Sequence, residues 1–227
     1  MSRWHAIIFD LDDTLYPEQA YVLSGFRAVA QWAAVHLDIP AVQGYAELHQ
    51  LFQQGVRGDT FNRWLHLHSL DADALVPQLV QVYREHTPLL EPFPEIPALL
   101  DRLCNTCRLG LVSDGYLAVQ QRKFAALGLG HAFQAVVFSD QWGRQAWKPS
   151  VQPFQAVVQQ LRIAPDQAVY IADNPTKDFL GARQIGMATI RVQWVGGEYA
   201  HLVPPTPAHA PDITLTTPDE LATVLVT

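Results

Sequence analysis

Cysteine, methionine and basic residues are scarce in this chain, and long apolar runs are missing. Two cysteines in 227 residues exclude a disulfide scaffold. They stand as Cys104-x-x-Cys107 without the two further ligands a structural zinc needs. A redox pair and packing at a helix end both remain open for them. No stretch approaches the ~18 apolar residues of a membrane span. The N-terminus runs straight into a strand interrupted by Asp10, so no secretory signal is expected and the location reads as cytoplasmic. Lysine and arginine total 15 against 22 acids, a formal net charge of -7. That balance argues against a nucleic-acid binder or a partner for anionic membranes. Apolar residues, by contrast, are plentiful at 49%, with a mean hydropathy of +0.03. Such a chain buries a sizeable core, either as one large domain or as a core with a smaller insert.

The sharpest signal is the run Ala6-Ile7-Ile8-Phe9 leading into Asp10-Leu11-Asp12-Asp13-Thr14-Leu15. A short apolar run ending in carboxylates reads as a buried parallel strand that delivers acids at its carboxyl end. Carboxylates buried there are costly unless they are paired or bind a cation. Asp10 and Asp12, one residue apart, allow one carboxylate to attack while the other handles protons.

From Tyr16 to about residue 87 the pattern is helical throughout. Val22, Phe26, Val29, Ala30, Ala33 and Leu37 share one face, and Asp71 is placed to cap a helix with the stripe Leu75, Leu79, Val82 and Tyr83. Tyr45–Gln54 and Phe61–His68 read as two more helices around the loop Gly55–Asp59. The proline-rich segment Pro88–Pro97 resists both helix and central strand and marks the return to a different architecture. Strands are then expected at Leu109–Val112, Ala135–Phe138, Val169–Ala172 and Ala188–Val192, alternating with helices. One of these helices spans Ser150–Leu161 with Phe154, Val157, Val158 and Leu161 inward. With Ala6–Phe9 this gives an α/β, doubly wound parallel sheet, interrupted by an all-helical insert. The segment from Gly196 to Pro211 reads as a surface loop without assigned chemistry. Ile213–Thr216 can add an edge strand before a last helix over Glu220–Val226.

Ligands of such sheets lie beyond the carboxyl ends of the strands. The residues there are Asp10 and Asp12, then Ser113-Asp114-Gly115, then Lys148 after the loop Ser139–Trp147, then Asp173 and Asp178. Singly, each reads equally well as a cap or a solvated charge. Together they are an inventory for phosphate and Mg²⁺, a hard cation that takes one or two carboxylates.

In this ordered set, Asp10-x-Asp12-x-Thr14, Ser113, Lys148, and Asp173 with Asp178, the chain resembles the haloacid dehalogenase superfamily of phosphohydrolases. The resemblance implies a Rossmann-like catalytic core over residues 1–15 and 88–227, with 16–87 as a helical cap. It also implies a Mg²⁺-dependent phosphatase working on a small phosphorylated molecule through an aspartyl-phosphate. By the same resemblance, Asp10 is the nucleophile and a metal ligand. Asp12 is the acid and base, with its carbonyl on the metal. Ser113 and the amides of Asp114 and Gly115 hold phosphoryl oxygens, and Lys148 neutralises charge. Asp173 ligates the metal directly, and Asp178 does so through water or by orienting Lys148.

Two features depart from the family pattern: Ala172 stands in place of glycine, and the Ser139–Lys148 loop is long and carries Trp142 and Trp147. An acid at Asp12 argues against dehalogenation. Alternatives are a sugar phosphomutase or a non-catalytic phospho-acceptor domain; the assembly is read as monomer or homodimer. Arg57, in a glycine-flanked loop, is the cap residue expected to contact substrate. The short Gly-x-Arg-Gly element and the Asp-Thr-Leu-Tyr start resemble pyrimidine 5′-nucleotidase-like members. His36, His49, His66 and His68 are read as helix-surface residues.

Overall fold

The computed structural model describes residues 3–226. The chain forms two compact units, one from the chain up to Glu18 together with the chain from Leu90 onward, the other Gln19–Leu89. The first is built on six parallel strands: β1 (Ala6–Phe9), β2 (Arg108–Ser113), β3 (Ala135–Phe138), β4 (Ala168–Ala172), β5 (Ala188–Val192) and β6 (Ile213–Leu215). Their order is β3-β2-β1-β4-β5-β6. After β1 the chain builds outward through β2 and β3, then crosses back to build β4, β5 and β6 on the other side. β1 therefore sits at the topological switch point, where side chains leaving neighbouring strands face a common crevice. Phe9 pairs with both Leu111 and Ile171. This register brings Asp10, Ser113 and Asp173 out of the sheet within two residues of one another.

The helical unit consists of α1 (Glu18–His36), α2 (Ala41–Gln53), α3 (Thr60–Leu67) and α4 (Ala72–Glu85). Phe26, Val29, Ala33, Leu48, Trp64, Leu65 and Leu79 form its core. Each fully buried side chain of this kind contributes roughly 1.5–3 kcal/mol. Asp71 caps α4, accepting from the amides of Asp73 at 3.0 Å and Ala74 at 3.3 Å.

Five helices accompany the sheet: α5 (Ile96–Leu103), α6 (Leu117–Ala126), α7 (Gln152–Leu161), α8 (Asp178–Gln184) and α9 (Pro218–Val226). α7 buries Phe154, Val157, Val158 and Leu161 against Ile8, Val112 and Tyr170. Gly181 in α8 lies so near the Pro149 carbonyl that a Cβ would come within 2.4 Å of it, so a larger residue there would push α8 away from Lys148. α5 follows the proline-rich segment and buries Ile96, Leu99, Leu100 and Leu103; Pro97 sits in its first turn, the one place a helix accepts proline without losing a hydrogen bond. The loop after β3 carries two short 3-10 turns, and Trp142 packs on the sheet core. No helix among the described residues is long and apolar enough to cross a membrane.

Candidate active site

A pocket of about 220 Å³ opens at the carboxyl edge of the sheet, with Asp10, Asp12, Asp114, Gly115 and Asp173 in its lining. Its foundation is Lys148, which is buried and donates to Asp10 Oδ1 at 2.8 Å and to the Tyr170 hydroxyl at 2.9 Å, and pairs with Asp178 Oδ1 at 2.7 Å. The ammonium thus makes two hydrogen bonds and one further ion pair. Burial lowers the lysine's proton affinity, but Asp10 and Asp178 outweigh it and hold Lys148 well above the usual lysine range. It stays charged.

Asp10, Asp173 and Asp178 are all buried, and an oxygen from each lies within 4.8 Å of the others. Burial pushes Asp10 up to about 6 even with Lys148 pulling the other way. Asp173 is also raised, by burial and then by the charges of Asp178 and Asp10. Its Oδ2 is buried without a hydrogen-bond partner among the described residues. Crowded acids with one free buried oxygen describe a place for a hard cation, and oxygen-only donors suit Mg²⁺. Asp178 is held by Lys148 and by the Asn174 amide, which donates to its Oδ2 at 2.9 Å.

Asp12 is surrounded differently. Its Oδ1 accepts from Lys123 Nζ at 2.8 Å and from the Tyr16 hydroxyl, and its Oδ2 accepts from Gln120 Nε2 at 2.9 Å. Burial raises its pKa, but Lys123 and these hydrogen bonds prevail and hold it below the ordinary carboxylate range. Glu18, also on the pocket wall, goes the other way, to about 7, through burial and the nearby charge of Asp12.

Asp114 does more than offer an amide. Its carboxylate accepts from the Lys148 amide at 3.1 Å and from Ser139 Oγ at 2.6 Å, tying the loops after β2 and β3 together. Lys177 Nζ approaches the same carboxylate at 3.5 Å. Ser113 is buried, and its Oγ lacks a partner among the described residues, leaving a hydroxyl free for a ligand oxygen. The long loop supplies the rim: Trp147 stands edge-on to Tyr116, and its indole N–H donates to Asp140 at 3.0 Å.

The segment after Gly196, read from sequence as a loop without chemistry, in fact sends Tyr199 into the pocket wall. Buried Arg191 holds it there, donating to the carbonyls of Asp173, Tyr199 and Leu202 at 2.9–3.0 Å. Asp13, with φ of 48°, accepts from the amides of Glu18 and Glu198 at 2.8 Å and ties both segments beside the site. Arg57 belongs to the helical unit; its guanidinium lies over the Phe52 ring at 3.7 Å and donates to the Phe52 carbonyl at 2.8 Å. Sequence reasoning missed Tyr16, Gln120, Lys123, Lys177 and Tyr199. Only Tyr16 and Lys177, each next to a motif, offered a local signal.

A parallel sheet whose switch point collects carboxylates around one buried lysine defines an α/β enzyme that handles charged oxygen groups at the sheet edge. The comparisons make this specific: residues 7–192 match the haloacid dehalogenase-like hydrolase model, and the chain belongs to that family. It is 31% identical to the glyceraldehyde 3-phosphate phosphatase of Methanopyrus kandleri, across 97% of this chain and 96% of that protein. It is 23% identical to the pyrimidine 5′-nucleotidase YjjG of Escherichia coli, across 82% and 85% of the two chains. Among solved structures, the HAD hydrolase YfnB of Bacillus subtilis bound to magnesium shares the fold, with a TM-score of 0.70 at 20% identity over 99% of this chain and 100% of that one.

Proposed function

We propose that the protein is a Mg²⁺-dependent phosphatase that hydrolyses a small, polar phosphate monoester through an aspartyl-phosphate on Asp10. The observation that carries this reading is Asp10 itself, on the pocket wall, 2.8 Å from the buried Lys148 ammonium and with one residue between it and a second acid, Asp12.

In the first half-reaction an Asp10 oxygen attacks phosphorus as the bond to the substrate's alcohol oxygen breaks. Asp12, in its protonated form, gives its proton to that departing oxygen. In the second half, Asp12 takes a proton from a water that attacks phosphorus. The bond to Asp10 breaks and inorganic phosphate leaves. Lys148 balances the charge on Asp10 and the phosphoryl group, since catalysis of this kind is mainly positioning and charge stabilisation. Ser113 and the amides of Asp114 and Gly115 bind phosphoryl oxygens. Asp10, the Asp12 carbonyl and Asp173 would hold Mg²⁺, with Asp178 supporting; when bound, the ion supplies further positive charge to the phosphoryl group.

The helical unit is assigned the specificity role, with Arg57 its candidate contact for a remote anion or base. The full-length similarity to a glyceraldehyde 3-phosphate phosphatase and a pocket smaller than the ~300 Å³ of drug-sized sites favour a triose-sized substrate. The test is a panel of triose, sugar, nucleotide and amino-acid phosphates, assayed for released phosphate with Mg²⁺ and after exhaustive chelation. Turnover that survives chelation, or no release from any ester, would sink the reading.

A further inference from the structure

Two helices flanking the sheet carry a stripe of residues at the same spacing, one apolar and buried, the other partly polar and lining the pocket. On α7 the stripe is Phe154, Val157, Val158 and Leu161, all buried in the apolar core. At the same offsets, the start of α6 places Tyr116, Val119, Gln120 and Lys123, all on the wall of the pocket. The buried residues of α6 are Gln120 at 3% exposure and Lys123 at 4%.

A buried lysine and a buried amide are costly in such a place. Gln120 spends both N–H bonds, one on Asp12 Oδ2 at 2.9 Å and one on the Asp114 carbonyl, while its own Oε1 is left buried without a partner among the described residues. The reverse orientation of the amide would set its oxygen against two acceptors, so the direction is fixed by chemistry. Gly115 makes room for it: at φ of 124° a side chain is strained, and a Cβ would lie 2.6 Å from Gln120 Nε2. Apolar side chains at 120 and 123 would strip Asp12 of its cationic partner and leave its carboxylate uncompensated, so the polar pair and the acid belong together. What the polar pair supplies is a fixed carboxylate. With Tyr16, it occupies both oxygens of Asp12 from three directions.

We propose that Gln120 and Lys123 are positioning residues that orient the Asp12 carboxylate for proton transfer in both half-reactions, a role that rests on the phosphatase reading above. They act through Asp12. Loss of either loosens Asp12, and the step that suffers depends on the substrate. With an alkyl phosphate, a poor leaving group, formation of the aspartyl-phosphate slows. With p-nitrophenyl phosphate, formation needs little proton donation, so hydrolysis of the intermediate becomes limiting and the intermediate builds up.

The experiment compares the full chain with its Lys123→Met, Lys123→Arg and Gln120→Leu variants, using glycerol 2-phosphate and p-nitrophenyl phosphate with Mg²⁺. For Lys123→Met, kcat is expected to fall about ten- to a hundred-fold on both substrates with KM within about twofold, as for an interaction used mainly in the transition state. A burst of p-nitrophenolate and acid-trapped phosphate on Asp10, seen by mass spectrometry, should appear with the aryl ester and not with the alkyl ester. Lys123→Arg, keeping the charge, should recover part of kcat. Gln120→Leu carries the same expectation without removing a charge, should Lys123→Met disturb folding. A fall in kcat with no trapped intermediate, a rise in KM alone, or unchanged kinetics would overturn the positioning role. A wild-type chain inactive on every ester would overturn the phosphatase reading, and this role with it.

Discussion

In the helical unit, polar groups in and around the core satisfy one another; in the sheet unit, several buried ones are left waiting. Glu47 accepts from Trp64 Nε1 at 2.8 Å and from Gln43 at 2.8 Å, and meets His68 Nε2 at 2.6 Å. Ser24 Oγ accepts the Leu89 amide at 2.9 Å and meets His86 Nε2 at 3.1 Å. Among the described residues of the sheet unit, Thr14, Ser113, Gln120 and Asp173 each bury a side-chain oxygen with no hydrogen-bond partner. Native proteins rarely tolerate such atoms, and a catalytic role or a bound water or ion is among the recognised reasons for them. Completed networks hold packing together, and incomplete ones mark the place where chemistry is done.

The strongest way to break this contrast is Asp10→Asn. An amide cannot attack phosphorus, so kcat should fall on the order of 10³-fold or more. Thermal stability should hold or rise, because the change removes a carboxylate whose ionisation burial and Asp178 oppose. Activity above a tenth of wild type, measured by phosphate release, would remove Asp10 as nucleophile.

The helical unit should respond in the opposite sense. Leu79 is fully buried in its core, and Leu79→Ala should cost about 2–5 kcal/mol in denaturant unfolding. Turnover of p-nitrophenyl phosphate by the folded variant should stay within about twofold. A collapse of activity without loss of stability would mean that this core takes part in the reaction.

Arg57 tests the specificity role proposed for the helical unit. As a substrate contact, Arg57→Ala should cost roughly 1.5–3 kcal/mol in specificity for the natural ester and little on p-nitrophenyl phosphate. Its bond to the Phe52 carbonyl offers a competing role. Equal kinetics on every substrate, with a small drop in Tm, would leave it as a loop fastener.

The smallest expected effect is in pH. Burial raises Glu18 from 4.5 to about 7 and Asp10 from 3.8 to about 6. Between the unfolded and folded values the native state binds more protons than the unfolded one, so stability falls as pH rises through that window. The Tm of the chelated protein should therefore be lower at pH 7.5 than at pH 5. Glu18→Gln should flatten that slope, and Mg²⁺ should raise Tm more at the higher pH. A slope unchanged in Glu18→Gln would place its titration elsewhere.

Much of the fold was legible because it is local. Apolar runs of four or five residues mark β1, β3 and β4, and the stripe of α7 repeats at helical spacing. Asp10, Asp12, Ser113 and Asp173 were legible because they stand at or within a few residues of strand ends, and Asp178 and Lys148 because they follow in the segments beyond β4 and β3. α6 was harder: a stripe of Val119, Gln120 and Lys123 has the same periodicity as an outward face, and only the fold shows that it points inward. α5 was masked by Pro97 in its first turn and by the prolines just before it. Tyr199 had no local mark at all; its place depends on Arg191, eight residues away.

By itself the sequence determined which segments become strands and helices and which charged residues lie at their ends, because periodicity and short motifs act over a few residues. Tertiary structure alone decided the partners. Lys123 reaches Asp12 across 111 residues of chain, and Lys148 reaches Asp10 across 138. Such meetings depend on strand order, register and the direction of each side chain, which only the packed sheet supplies.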